Sequence, residues 1–206
     1  MAAYGCSKLP TIFNLNKSLQ DIVEEVNGKN ICLFDILPIR KPDLLVPLVE
    51  ELLNYYDCEK YLFNINGHKL AITLEDILYL TGLPIRGTPI MIASKDTKAF
   101  KRVFGIVKNR SCSIKDLKNL AGNTNVDTDT RMKAALMVLI ACFVMPMGNN
   151  YHIKGDFVKF VEKLEDVDNY AWGAALLAFL NNGIREWKVN RKKSRIDGNL
   201  WVVLVS

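Results

Sequence analysis

Two stretches of the sequence concentrate charge of one sign, and each suggests a different chemistry. From Arg185 to Arg195 the chain places Arg185, Lys188, Arg191, Lys192, Lys193 and Arg195 against the single acid Glu186. That excess equals the whole formal net charge of +5, so the rest of the chain is balanced. Such a cluster can neutralise phosphates or serve as a nuclear address, with Lys188, Arg191, Lys192, Lys193 and Arg195 as the candidate nucleic-acid contacts. The plainer reading is a solvated loop that aids solubility. Lys95, Lys98, Lys101 and Arg102 form a secondary basic face on a helix, which would reinforce phosphate binding if it lay on the same side. The opposite sign gathers at Glu162, Glu165, Asp166 and Asp168. That run has the charge to hold a cation, but reads more simply as a solvated helix end.

Metal and nucleophile chemistry find less material. A zinc site needs Cys, His or carboxylate ligands at close spacing or brought together by the fold. The chain has two histidines, His68 beside a turn and His152 in a loop, and five scattered cysteines with no Cys-x-x-Cys pair. The odd count and the scatter read as reduced thiols of a cytosolic or nuclear protein. Cys142 falls inside the most apolar helix and reads as a small core residue, not as an activated thiol. No Gly-x-Ser-x-Gly, Gly-rich phosphate loop or dinucleotide fingerprint occurs. The expectation is a non-enzyme with no metal and no cofactor. The longest apolar run, Ala134 to Met147, is shorter than the roughly 20 residues a bilayer span needs, and the N-terminus reads as carrying no secretion signal.

The elements that must position these residues are mostly helical. A chain of 206 residues, half of them hydrophobic, can build one good-sized core. The stretch Thr73 to Gly87 specifies both ends of a short helix. Thr73 caps it, Asp76 reaches back three residues later, Gly82 supplies a left-handed stop, Leu83 folds back on the apolar face and Pro84 forbids continuation. Leu74, Ile77, Leu78 and Thr81 share the face expected to pack. Upstream, Asn66-Gly67 between Tyr61–Ile65 and Lys69–Ile72 signals a β-hairpin. Residues 1–16 show no period and read as a flexible lead-in. A helix then opens at Ser18 and stops at Gly28. Residues 31–37 read as a strand or extended segment. Leu45 to Tyr56 is strongly periodic, with Pro47 tolerated in its first turn. A helix from Ser94 carries Phe100, Val103, Phe104 and Val107.

Ser113 to Gly122 repeats the Thr73 pattern of cap, Asp and terminal Gly, through either an internal duplication or convergence on one capping grammar. Arg131 to Val144 is apolar almost all round and belongs at the centre of the core. Phe157, Phe160, Val161 and Leu164 mark another helix. Trp172 to Trp187 forms the last long one, followed by an apolar run over Leu200 to Val205. The fold class expected is mainly α, a single helical domain with one small hairpin near 61–72.

Three blocks of the sequence resemble the plant mobile domain, a family sometimes labelled aminotransferase-like. They are Leu74-Glu-Asp-Ile-Leu-Tyr-Leu-Thr-Gly-Leu-Pro-Ile-Arg-Gly-Thr-Pro-Ile90, Cys142-Phe-Val-Met-Pro146 and Tyr170-Ala-Trp-Gly-Ala-Ala-Leu-Leu-Ala-Phe-Leu180. Order and spacing agree over residues 61–204, within a helical domain spanning 17–206. The resemblance marks Thr73, Asp76, Gly82, Leu83, Pro84, Gly87, Pro146, Trp172 and Gly173 as structural signature positions. It implies a domain of plant transposable elements and of host proteins domesticated from them. Those host proteins are nuclear, act in transposon silencing and genome or meristem maintenance, and partner with phosphatase-like proteins. No pyridoxal-type lysine context supports the aminotransferase label. The hairpin and first block also resemble the domain that precedes transposon-borne SUMO-protease-like enzymes, but no protease triad follows here. What the resemblance implies is a nuclear interaction module acting through protein partners or self-association; nucleic-acid binding by 188–195 is the alternative, and no membrane partner is expected.

Overall fold

The computed structural model describes residues 4–5, 9–38, 46–92, 96, 98–106, 111–146, 152–190 and 195–199. In chain order they form β1 (Tyr4–Gly5), α1 (Leu9–Ser18), a 3-10 turn (Gln20–Ile22), α2 (Val23–Lys29) and a 3-10 segment (Cys32–Ile36). Next come α3 (Val46–Asn54), β2 (Tyr56–Asp57), β3 (Leu62–Ile65), β4 (His68–Leu70), α4 (Leu74–Thr81) and α5 (Ala99–Phe104). Then follow β5 (Ser111–Ser113), α6 (Ile114–Ala121), α7 (Thr128–Leu139) and a π-helical turn (Ile140–Val144). The last elements are β6 (His152–Lys154), 3-10 segments Gly155–Phe160 and Leu164–Asn169, α8 (Trp172–Val189) and β7 (Arg195–Ile196). The domain is mainly α, as expected.

Helix α7 is the axis of the core. Asp127 caps it by accepting the Thr130 N–H at 2.9 Å, and Met132 and every residue from Ala134 to Leu139 are buried. Helices α6, α1 and α5 and the 3-10 segment Cys32–Ile36 pack around it. The π turn prolongs it to Val144, and Asn199 Nδ2 donates to the Phe143 carbonyl there at 3.1 Å. Helix α8 lies across α4 and this turn. The hairpin forms as expected: Asn66 (φ 51) and Gly67 (φ 84) adopt the left-handed pair that matches strand twist, and β3–β4 register Phe63 with Leu70. β2 adds a third strand at Tyr56↔Phe63. Two further pairs were not foreseen, β5–β6 antiparallel and β1–β7 parallel.

Several local expectations are corrected. The supposed lead-in contains α1, whose Ile12 and Leu15 are fully buried. Ser18 closes that helix instead of capping the next, and its Oγ donates to the Asn14 carbonyl at 3.0 Å. Gly28 does not stop α2; Asn30 does, with φ 48 and its N–H on the Asn27 carbonyl. The apolar run 32–36 is 3-10 helical and not extended: Phe34 N–H bonds the Ile31 carbonyl at 2.9 Å and Leu37 N–H the Phe34 carbonyl at 3.0 Å, while the Asp168 carboxylate holds the Cys32 N–H at 3.1 Å. The Phe157–Leu164 region is likewise two 3-10 segments and no α-helix. The expected terminal run 200–205 lies outside the described residues.

Candidate functional site

The first of the three matched blocks meets the start of the third through backbone bonds between residues more than 80 positions apart. Thr73 Oγ1 accepts the Asp76 N–H at 3.1 Å while the Asp76 carboxylate accepts the Thr73 N–H at 2.8 Å, a reciprocal box. These bonds, with the Thr73 N–H first, hold the Asp76 carboxyl below the usual carboxylate range. Gly82 (φ 70) then reverses the chain, with its N–H on the Leu78 carbonyl at 2.8 Å, and Leu83 is fully buried. The Pro84 carbonyl accepts from Gly173 N–H at 2.9 Å, and Thr88 N–H donates to the Asn169 carbonyl at 2.7 Å.

Two glycines allow this approach. A Cβ on Gly173 would lie 3.0 Å from Ile85 Cγ2 and from the Leu83 carbonyl oxygen, and one on Gly87 would lie 2.5 Å from the Asn169 oxygen. Beneath the seam Trp172 is fully buried, donates Nε1–H to the Val167 carbonyl at 2.7 Å and meets Phe160 edge-on at 5.9 Å. Pro146, also buried, accepts from Gly198 N–H at 3.0 Å. The signature positions named here are engaged in contacts within the fold.

Their effect on the surface is a rim of apolar side chains. Only Ile77 and Thr81 of α4 are buried; Leu74 and Leu78, expected to pack, stay 37% and 42% exposed, and Tyr79 is 89% exposed. Leu70 at the end of β4 and Met91 and Ile92 beyond Gly87 are exposed as well.

The basic candidates fare unevenly. Lys188 turns inward, and its ammonium donates to the carbonyls of Tyr56 and, at 3.5 Å, Asn54, the C-terminal end of α3 where a cation is favoured. Arg102 is bound by Glu162 at 2.9 Å and Asp96 at 3.0 Å, which offsets its charge. Lys98 and Lys101 are exposed on the same short helix region. Lys95, Arg191, Lys192 and Lys193 lie outside the described residues, and Arg195 is placed by its backbone, paired with Tyr4 in β7.

Among the described residues no group of three or more His, Cys, Asp and Glu side chains is placed to hold a metal. Burial and then the Asp168 carboxylate push the Cys32 thiol far above its ordinary value, so it stays protonated at neutral pH. His68 and His152 are exposed strand residues. A cavity of about 400 Å³ between α1, α2 and the Cys32–Ile36 segment has Asp35 at its edge but no histidine or cysteine in its lining. No helix of the described residues is long and apolar enough to cross a membrane.

Sequence reasoning missed one buried charge. Arg131 is 3% exposed, and its guanidinium makes two 2.7 Å bonds to Asp21 while Nε donates to the Ala121 carbonyl at 2.8 Å. Nη2 also reaches the Ser18 carbonyl at 3.3 Å, so one side chain ties the end of α1 and the end of α6 to α7. The signal available was a lone Arg at the start of an all-apolar helix.

A family model described as "Domain of unknown function (DUF8566)" matches residues 11–204. The chain belongs to this family. The chain is 26% identical over 167 residues to Protein MAIN-LIKE 2 of Arabidopsis thaliana, covering 75% of this chain and 25% of that protein. It is equally 26% identical over 167 residues to Protein MAINTENANCE OF MERISTEMS of the same plant, covering 74% of this chain and 35% of that one. The chain thus spans about a quarter to a third of the length of these relatives. No solved structure matches.

Proposed function

We propose that this DUF8566 chain is a plant mobile domain that serves as a non-catalytic nuclear interaction module, acting in transposon silencing and genome maintenance through protein partners or self-association. The observation that carries the reading is the exposure of Leu74, Leu78 and Tyr79 on α4, a helix whose two ends are fixed, together with Leu70 at the end of β4. Leu74 and Leu78 stand one turn apart on the same helix, and exposed apolar neighbours of this kind mark contact sites. The name of the relative that maintains meristems agrees with a role in host maintenance. Phosphatase-like proteins are the partner class the resemblance suggests. Proximity labelling in plant cells tests this, comparing the native chain with a Leu78→Asp, Tyr79→Asp variant. A nuclear set of labelled proteins, phosphatase-like ones among them, should shrink in the variant. An identical set, or labelling confined to the cytoplasm, overturns the reading.

A second reading, nucleic-acid binding, is favoured by the six-to-one basic excess over 185–195. With Lys188 engaged internally, Arg191, Lys192, Lys193 and Arg195 are the residues to neutralise. If all four contact phosphates, log affinity for duplex DNA falls against log salt with a slope of about −3.6, and the neutralised variant flattens it. Absence of binding at low salt removes this reading.

A further inference from the structure

We infer that the cavity between α1, α2 and the Cys32–Ile36 segment is a peptide-anchor site, taking one large apolar side chain of a partner protein with a Lys or Arg beside it. The inference rests on the interaction-module reading and gives it a second, chemically defined contact away from the α4 rim. The cavity measures about 400 Å³, within the usual range of ligand sites, and suits one or two large side chains rather than a folded element. Its floor is apolar: Leu19, Val26, Ile31 and Leu37 are buried, and Val23 forms an open wall at 39% exposure.

The gap is built, because both walls are pinned to the core independently. Asp21, just past Leu19, is gripped by Arg131, which also holds the Ser18 carbonyl. On the other side the Asp168 carboxylate fixes the Cys32 N–H at 3.1 Å and so sets the 3-10 segment that presents Phe34, Asp35 and Leu37. Between them Asn30 turns in the left-handed region (φ 48), which angles α2 away from that segment.

The rim selects the occupant. Asn16, Asn27 and Asn30 offer amides, and Asp35 is the one charged residue of the lining among the described residues. An anionic ligand such as a nucleotide would be repelled by that carboxylate, whereas a Lys or Arg next to an apolar anchor would complement it and the amides would satisfy peptide backbone.

The test pans a displayed library of random 12-residue peptides against the purified full chain and sequences the enriched peptides. Peptides combining a large apolar residue with a neighbouring Lys or Arg should emerge. Val23→Glu should weaken their binding at least about tenfold, Asp35→Lys should abolish the basic preference, and the rim variant Leu78→Asp should leave both intact. Unchanged thermal midpoints for Val23→Glu and Asp35→Lys show that the variants fold. Enriched peptides that bind Val23→Glu and Asp35→Lys as well as the native chain overturn the site; if Leu78→Asp abolishes them instead, the interaction module stands and only this cavity is lost. A library that yields no apolar-basic peptide also overturns it.

Discussion

Helices α4 and α6 are written in nearly the same residues and do different things. Both open on a hydroxyl cap, Thr73 or Ser113, that accepts the N–H of an Asp three residues on, and both reach glycine after eight residues. At Gly82 the chain is left-handed (φ 70), but Gly122 has φ −88 and needs no such freedom. What Gly122 provides is room, since a Cβ there would sit 3.3 Å from Ser18 Cβ. Burial differs too. Helix α6 hides Ile114, Leu117 and Ala121 along α7, whereas α4 hides Ile77 and Thr81 and leaves Leu74, Leu78 and Tyr79 to solvent. Local capping chemistry therefore decides that a helix forms and where it starts. The neighbours decide how it ends and which face stays free.

The largest expected effect separates the two helices by their C-termini. The Ala121 carbonyl at the end of α6 is bonded by Arg131, while Gly82 N–H serves the end of α4. Arg131→Met should cost about 2–4 kcal/mol in denaturant unfolding, from lost charged bonds and orphaned carbonyls. Hydrogen exchange should rise around residues 18–21 and 121 and not at α4. Equal loss at both helices would break the distinction.

The glycines come next. Gly82→Ala should lower stability by about 1 kcal/mol, because alanine resists positive φ. Gly122→Ala should cost less than half of that, read as the shift in denaturation midpoint. Equal midpoints for the two variants would show that the difference in φ carries no energy.

The caps give a pH signature. The folded box holds Asp76 ionised more strongly than the unfolded chain does. Its contribution is thus complete above the ordinary carboxylate value of about 4 and is lost as pH falls through that region. Thr73→Ala should destabilise by about 1 kcal/mol at pH 7 and by clearly less at pH 3. A penalty independent of pH would mean that the Thr73 hydroxyl does not donate to the ionised Asp76 carboxylate. Asp21, held low chiefly by its bonds to Arg131, gives the same sign, so native stability should fall on acidification.

The smallest expected effect lies on the rim. Tyr79→Ser should change stability by no more than about 0.5 kcal/mol, since the ring is 89% exposed. A larger loss, measured in the same unfolding series, would mean that the α4 face is covered after all.

The hairpin, the box at Thr73, the all-apolar α7 and the long α8 were legible because each rests on a local pattern. Asn66-Gly67 needs no distant partner to turn, and Thr73 finds Asp76 within one helical turn. What escaped was set by partners far away in sequence. The start of the 3-10 segment 32–36 is held by the carboxylate of Asp168, 136 residues away, and short apolar runs do not reveal their period. Periodicity put Leu74 and Leu78 on one face correctly, yet nothing local showed that α8 reaches only the Ile77 side. The candidate basic residues were chosen by charge, and charge alone could not show that Lys188 and Arg102 already serve carbonyls and carboxylates of their own chain. The cavity left no mark in the sequence at all, because a void is defined by what two pinned segments fail to fill.

One small feature carries a mechanical consequence. Strands β1 and β7 run parallel, with Tyr4 beside Arg195 and Gly5 beside Ile196. Flanking chain that arrives ahead of Tyr4 and leaves after Ile196 would pull these strands past one another along their length. Tension then falls on the inter-strand hydrogen bonds together, in shear, instead of peeling them one at a time. A tug from both sides meets that pair as a clasp.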